Sequence, residues 1–135
     1  MQQKPYLLLL ALFCASYLFG QGEANNWYFG NYAGLSFNSD PPVALTNGAL
    51  TTSEGCATIS DAAGNLLFYS DGLNVWNRNH VIMSNGTGLL GNPSSAQSAI
   101  IIPKPGSTTN YYIITVPEAG AVGMRFSEID MTLAG

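Results

Sequence analysis

The chain has 135 residues and a formal net charge of −4, and only 9% of its residues are charged, against roughly 25% in an ordinary soluble domain. Four basic residues scattered along it offer no clustered Lys and Arg surface for phosphates, so the chain is not expected to bind nucleic acid. Two cysteines exclude a disulfide framework, and Asn, Ser, Thr and Gly supply the polarity, which suits an exported, β-rich surface.

In chain order, the opening "MQQKPYLLLLALFCASYLFGQG" places Lys4 before an apolar run over 6–15, followed by small residues at Gly20 and Gly22. That is the layout of a secretory signal peptide, read over residues 1–22, with cleavage after Gly20 as an alternative. The run is shorter than the roughly 20 residues a membrane-spanning helix needs. A lipoprotein reading would put Cys14 at the mature end, but Phe13 stands where a small residue is required. Without the signal, Arg78, Lys104 and Arg125 oppose eight acidic residues, a charge of −5. Cys56 then has no partner in the chain and reads as a small buried apolar residue.

Beyond the signal no window sustains a 3.6-residue apolar period, and glycine or proline interrupts every few residues, so the class is all-β. Strands are expected over 27–29, 35–37, 56–60, 66–70, 74–76, 98–103, 111–116 and 124–129. Turns are expected at "SDPP", at the Asn-Gly pairs starting at Asn47 and Asn85, at "DAAG", at "SDG" and at "PKPGSTTN". Successive strands should pair as antiparallel hairpins.

Two segments share an order of features: "CATISDAAGNLLFYSDGLNVWN" and "SAIIIPKPGSTTNYYIITVPEAGAVGMRFSEID". Each has a small-residue strand, a turn containing Gly, an Asn, an aromatic-rich strand, a loop and a third strand. Cys56 and Ser98 lie 42 positions apart and Asn65 and Asn110 lie 45 apart, within the roughly 40–45 residues of a propeller blade. "LLFY", "AIII" and "YYII" lack polar alternation, so both faces of these strands should be covered. With no helices to cover them, the expected architecture is antiparallel β-meander blades of a partial β-propeller, stacked face to face over residues 23–135. The 113 residues hold about two blades and the start of a third, so the chain is expected to be the N-terminal piece of a longer protein. A closed β-sandwich is the alternative that eight short strands allow.

The segments "NNWYFGNYAGLSFN", "EGCATISDAAGNLLFYSDGLNVWNRNHVIMSNGTGLLG", "SSAQSAIIIPKPG", "YYIITV" and "FSEIDM" carry a family resemblance. Together they resemble the N-terminal region of large secreted proteins of gliding, Bacteroidota-type bacteria, whose far C-terminus bears a gliding-motility-associated, type B sorting domain for type IX secretion. The resemblance implies an exported, cell-surface or secreted protein with propeller-like repeats ahead of adhesion-type modules. It implies use of that export machinery through a C-terminal region this sequence does not contain. It brings no catalytic residues with it.

The function expected is therefore a non-catalytic scaffold for adhesion or recognition, with an unidentified glycan or surface protein as partner. The alternative is the non-catalytic part of a secreted polysaccharide-degrading enzyme. No cofactor or metal is expected. His80 is the only histidine, and Cys56, 24 positions upstream, gives no zinc spacing. Asp61 and Asp71 could supply the two carboxylates of a glycosidase, but both stand in turns, where Asp bonds to nearby amides. The contiguous Ser70, Asp71 and Gly72 lack the spacing of an Asp-box, and Asp71, Asn74 and Asn77 are oxygen donors without an EF-hand loop around them. The candidate ligand-binding segment is "NVWNRNH": Trp76 as a stacking face, with Asn77, Arg78 and His80 as hydrogen-bonding groups. Of the two roles the core one is preferred for Trp76, because Val75 and Trp76 continue a strand whose partner, "LLFY", reads as buried on both faces.

Overall fold

The computed structural model describes residues 22–118 and 123–133, so the expected signal segment, apart from Gly22, lies outside the described residues. After a single 3₁₀ turn at Gly22–Ala24 come ten strands: β1 Asn26–Phe29, β2 Ala33–Ser36, β3 Val43–Leu45, β4 Ala57–Ser60, β5 Leu66–Ser70, β6 Asn74–Asn77, β7 Ile82–Thr87, β8 Ala99–Pro103, β9 Asn110–Thr115 and β10 Arg125–Asp130. They form three antiparallel sheets, each a meander in chain order: β1-β2-β3, β4-β5-β6-β7 and β8-β9-β10. The chain is all-β, and no helix among the described residues is long and apolar enough to cross a membrane.

The four-stranded sheet lies between the other two. On one face, Ile59, Phe68, Val75 and Met83 pack with Ala99, Ile113 and Ile129 of the third sheet and its edges. On the other, Tyr69 and Trp76 pack with Tyr28, Leu50 and Leu45 from the first sheet and the loop after it. A bulge at Leu67 makes this division possible. Ile59 pairs with Phe68 and Ser60 with Leu66, so Leu67 is left over and the side-chain alternation shifts by one. Leu67 and Phe68 thereby serve one core, while Leu66 and Tyr69 serve the other. Complete burial of side chains such as Phe68 and Ile113 stabilises the fold by roughly 1.5–3 kcal/mol each.

Polar clamps fix the sheets to one another. Asn26 Nδ2 donates to Ser60 Oγ (3.0 Å) and to Gly64 O (2.8 Å), and Tyr28 N donates to Thr58 Oγ1 (3.0 Å), which holds β1 beside β4. On the far side β4 lies against β8, so the first strands of the three sheets are neighbours. There Ser98 Oγ donates to Asp71 O (2.7 Å), and Gly91 N donates to Gly72 O (2.9 Å). Gly72 has φ +87°, and a Cβ on it would run into Ser98 Oγ and lie 2.8 Å from Ser98 O. No residue but glycine fits that turn without displacing the strand beside it.

Two expectations need correction. The strands β3 and β7 were not expected, and the Asn85-Gly86 pair, read as a turn, lies inside β7. Trp76 pairs with Ile82 and Asn74 with Thr87, so Val75 alone stands opposite residues 83–86. Asn85, at φ +56°, supplies the left-handed residue of that bulge. The expectation that "AIII" and "YYII" are covered on both faces holds for one face only. Ile100, Ile114 and Phe126 form one cross-strand row on the outer face of the third sheet, and Ile102 pairs with Tyr112 in the next. Phe126 is 72% exposed there, with Ile100 and Ile102 also exposed. The outer face of the first sheet is apolar as well, with Trp27, Phe29 and Phe37 exposed.

Candidate functional site

The segment "NVWNRNH" is the end of β6 and its turn into β7. Trp76 sits opposite Tyr69 on the neighbouring strand, and their rings stack with centroids 5.6 Å apart. Tyr69 in turn stacks on Tyr28 at 4.7 Å, so three rings from β6, β5 and β1 form a ladder through the interface of two sheets. Trp76 is 8% exposed and belongs to that core. Little of its ring is left for a sugar to cover.

Asn77 turns inward and shapes the loop. Its Oδ1 accepts from Asn79 N (2.9 Å) and Val81 N (3.2 Å), while its backbone N–H donates to Val81 O. This is the Asx geometry that lets a short polar side chain close a tight connection. Arg78, at the apex, is exposed. His80 is left-handed at φ +61°, which folds its ring back over the ladder, 5.3 Å from Tyr28 and 5.8 Å from Tyr69.

Both nitrogens of that imidazole are engaged. Nδ1 lies 3.0 Å from Tyr69 Oη, and Nε2 lies 2.8 Å from Asn47 Nδ2. The Asn47 amide is oriented by Tyr28 Oη, which donates to Asn47 Oδ1 at 3.1 Å. Asn47 Nδ2 is then a donor, so Nε2 accepts, and the imidazole is neutral with its proton on Nδ1 donated to Tyr69 Oη. Burial depresses the His80 pKa below its ordinary value, in the same sense as that hydrogen-bond pattern. Tyr69 Oη also accepts from Ala49 N (3.0 Å), which ties the loop before β4 into the cluster. Burial raises the Tyr28 and Tyr69 hydroxyls, so both remain protonated through neutral pH.

The structure thus gathers Trp76 and His80 around Tyr69, uses Asn77 as a turn former and leaves Arg78 outside the cluster. Tyr69 and Asn47 complete the group and were not among the expected site residues. The other chemistry-bearing candidates have structural partners. Asp61 Oδ1 accepts from Ala63 N and Asn65 N, both at 2.9 Å, and from the Asn65 side chain. Those bonds, that from the Asn65 side chain first, hold its carboxyl below the usual range. Asp71 Oδ1 accepts from Leu73 N (2.8 Å) and Asn74 N (2.7 Å) in the β5–β6 turn. Cys56 is half-buried and donates to Tyr28 O at 3.3 Å; burial, and then Asp71, push its thiol pKa up, away from nucleophilic thiolate chemistry. Among the described residues no three His, Cys, Asp or Glu side chains are grouped to hold a metal ion. Comparison with family models, curated proteins and solved structures finds no match to this chain.

Proposed function

We propose that this chain is an exported, non-catalytic scaffold of propeller type, contributing to adhesion or recognition at the surface of a gliding-type bacterium that uses type IX secretion. The observation that carries the reading is the stack itself. Successive antiparallel meanders follow one another in chain order, each with its first strand beside the first strand of the next, and both outermost faces are apolar. A stack of this kind is extended by further sheets of the same sort, which is how blades build a ring. A two-sheet sandwich would put its apolar surface inside and leave polar faces outside. The polar, low-charge composition and the N-terminal signal pattern support export. Turn-bound Asp61 and Asp71, and a His80 whose two ring nitrogens are both engaged by Asn47 and Tyr69, support a role other than catalysis.

The test is binding against turnover. The protein, applied to arrays of polysaccharides and surface proteins, is expected to retain a reproducible subset of them and to release no reducing sugar. External protease should remove it from intact producing cells. Sugar release from any retained polysaccharide, or resistance to external protease on cells that open only on lysis, would contradict the reading.

A further inference from the structure

The hydrogen bonds around His80 form one chain that crosses the joint between the first and central sheets. Tyr28 Oη donates to Asn47 Oδ1 (3.1 Å), Asn47 Nδ2 donates to His80 Nε2 (2.8 Å), and His80 Nδ1–H donates to Tyr69 Oη (3.0 Å). Tyr69 Oη accepts a second bond from Ala49 N (3.0 Å), so both of its lone pairs are used. The chain thus has a direction, from Tyr28 toward Tyr69. A second proton on His80 conflicts with that direction at one link alone: Nε2–H would point at the Asn47 amide nitrogen, donor against donor, across 2.8 Å. β5 brings Tyr69 to the ring, β1 brings Tyr28, the loop before β4 brings Asn47, and the ring's own turn brings the exposed Arg78. Among the described residues no carboxylate pairs with the imidazole, and burial depresses its pKa.

We propose that the Tyr28–Asn47–His80–Tyr69 chain is a proton-operated switch, in which protonation of His80 turns the Asn47 amide over while the joint between the sheets stays closed. Rotation about the Asn47 Cβ–Cγ bond exchanges Oδ1 and Nδ2 without moving the loop that carries them. Nε2–H then donates to Asn47 Oδ1, Asn47 Nδ2 donates to Tyr28 Oη, and Nδ1–H still donates to Tyr69 Oη. Tyr28 changes from donor to acceptor, which a hydroxyl does by rotating its hydrogen. Every heavy-atom contact of the chain survives, and the Tyr28 hydroxyl hydrogen alone loses its partner. Swinging the imidazole out to water instead would take a partner from both Asn47 and Tyr69, and Tyr69 is fully buried. That course is the costlier one, because a buried polar group left without its bond keeps its whole desolvation penalty. Burial still opposes the charge, so the switch point lies below the ordinary histidine range. The inference rests on this cluster and stands without the propeller reading or any ligand.

The test is an NMR pH titration of the full chain, in which His80 is the only histidine, so every imidazole signal belongs to it. Above the switch point the ring nitrogen shifts should show the proton on Nδ1 and a bare Nε2; below it both nitrogens should carry protons. The two Asn47 side-chain amide protons should shift with the same midpoint. The Ala49 amide should keep its protection from exchange throughout, since its bond to Tyr69 Oη is the same in both states. In Asn47→Asp the carboxylate accepts from Nε2–H without turning, so the His80 midpoint should rise by about 1–3 pH units. If Asn47→Asp loses the Ala49 protection, and with it the fold of the joint, the titration of the parent chain decides alone. A titration that leaves the Asn47 side chain unmoved, loss of Ala49 protection at the His80 midpoint, or a proton on Nε2 at neutral pH would overturn the proposal. So would an unchanged midpoint in an Asn47→Asp protein whose Ala49 amide is still protected.

Discussion

Substituting Gly72 tests how the central and third sheets are joined. In Gly72→Ala the residue must keep φ near +87°, which costs an L-residue roughly 1–2 kcal/mol. Its Cβ must also displace Ser98, whose carbonyl oxygen lies 2.8 Å away and whose hydroxyl is in its path. Overpacking of this sort costs about 1–3 kcal/mol, so the whole change should cost on the order of 2–5 kcal/mol. Gly88 separates the two contributions, because it has φ +75° but nothing within 4 Å of a Cβ. Gly88→Ala should therefore cost only the backbone share, about 1–2 kcal/mol. Urea unfolding followed by tryptophan fluorescence measures both, since Trp76 is buried at the sheet interface. Adding Ser98→Ala to Gly72→Ala should recover part of the loss, with a coupling of about 0.5–3 kcal/mol. Equal losses for Gly72→Ala and Gly88→Ala, with no coupling to Ser98, would refute the close packing on which this reasoning rests.

Trp76→Ala should cost on the order of 3–5 kcal/mol, checked by thermal unfolding; a stable variant that has lost only ligand retention on an array would return Trp76 to the binding role. His80, with its pKa depressed from 6.5, leaves the folded state with fewer bound protons than the unfolded chain. Its contribution is full above about pH 6.5 and declines as pH falls from there toward the lower folded value. His80→Asn keeps a residue that tolerates left-handed backbone and removes the imidazole, so between pH 7 and pH 5 its melting temperature should fall less than the parent's; equal slopes would remove His80 from the account. Tyr69→Phe deletes the hydroxyl that meets both Ala49 N and His80. It should cost about 1–3 kcal/mol, and a neutral result in urea unfolding would show that the loop before β4 is held by other contacts.

The central hairpin was legible in the sequence because its signals agree: "LLFYS" is a continuous apolar run, and "SDG" with Asn74 supplies an Asx turn. The expected strand over 66–70 matches β5 residue for residue. β3 was missed because "VAL" follows two prolines and is only three residues long. β7 was missed because Asn-Gly is as good a bulge as it is a turn, and local sequence does not distinguish them. The aromatic ladder was half visible. Tyr69 and Trp76 belong to strands the sequence pairs through the "SDG" turn, but Tyr28, which stacks on Tyr69, comes from the first sheet and is placed there only by tertiary packing. Asn47 lies 33 positions from His80, and only the packing of the first sheet on the second brings them together.

Sedimentation velocity on residues 23–135 tests the stacked, open-faced architecture most directly. The Ile100–Ile114–Phe126 row and the Trp27–Phe29 side should drive concentration-dependent association. Replacing Ile114 and Phe126 with Thr should weaken it while leaving the inner face, with Ile113 and Ile129, intact. A monomer at every concentration, unfolding in one cooperative transition and unaffected by those two changes, would contradict the account and favour a closed sandwich.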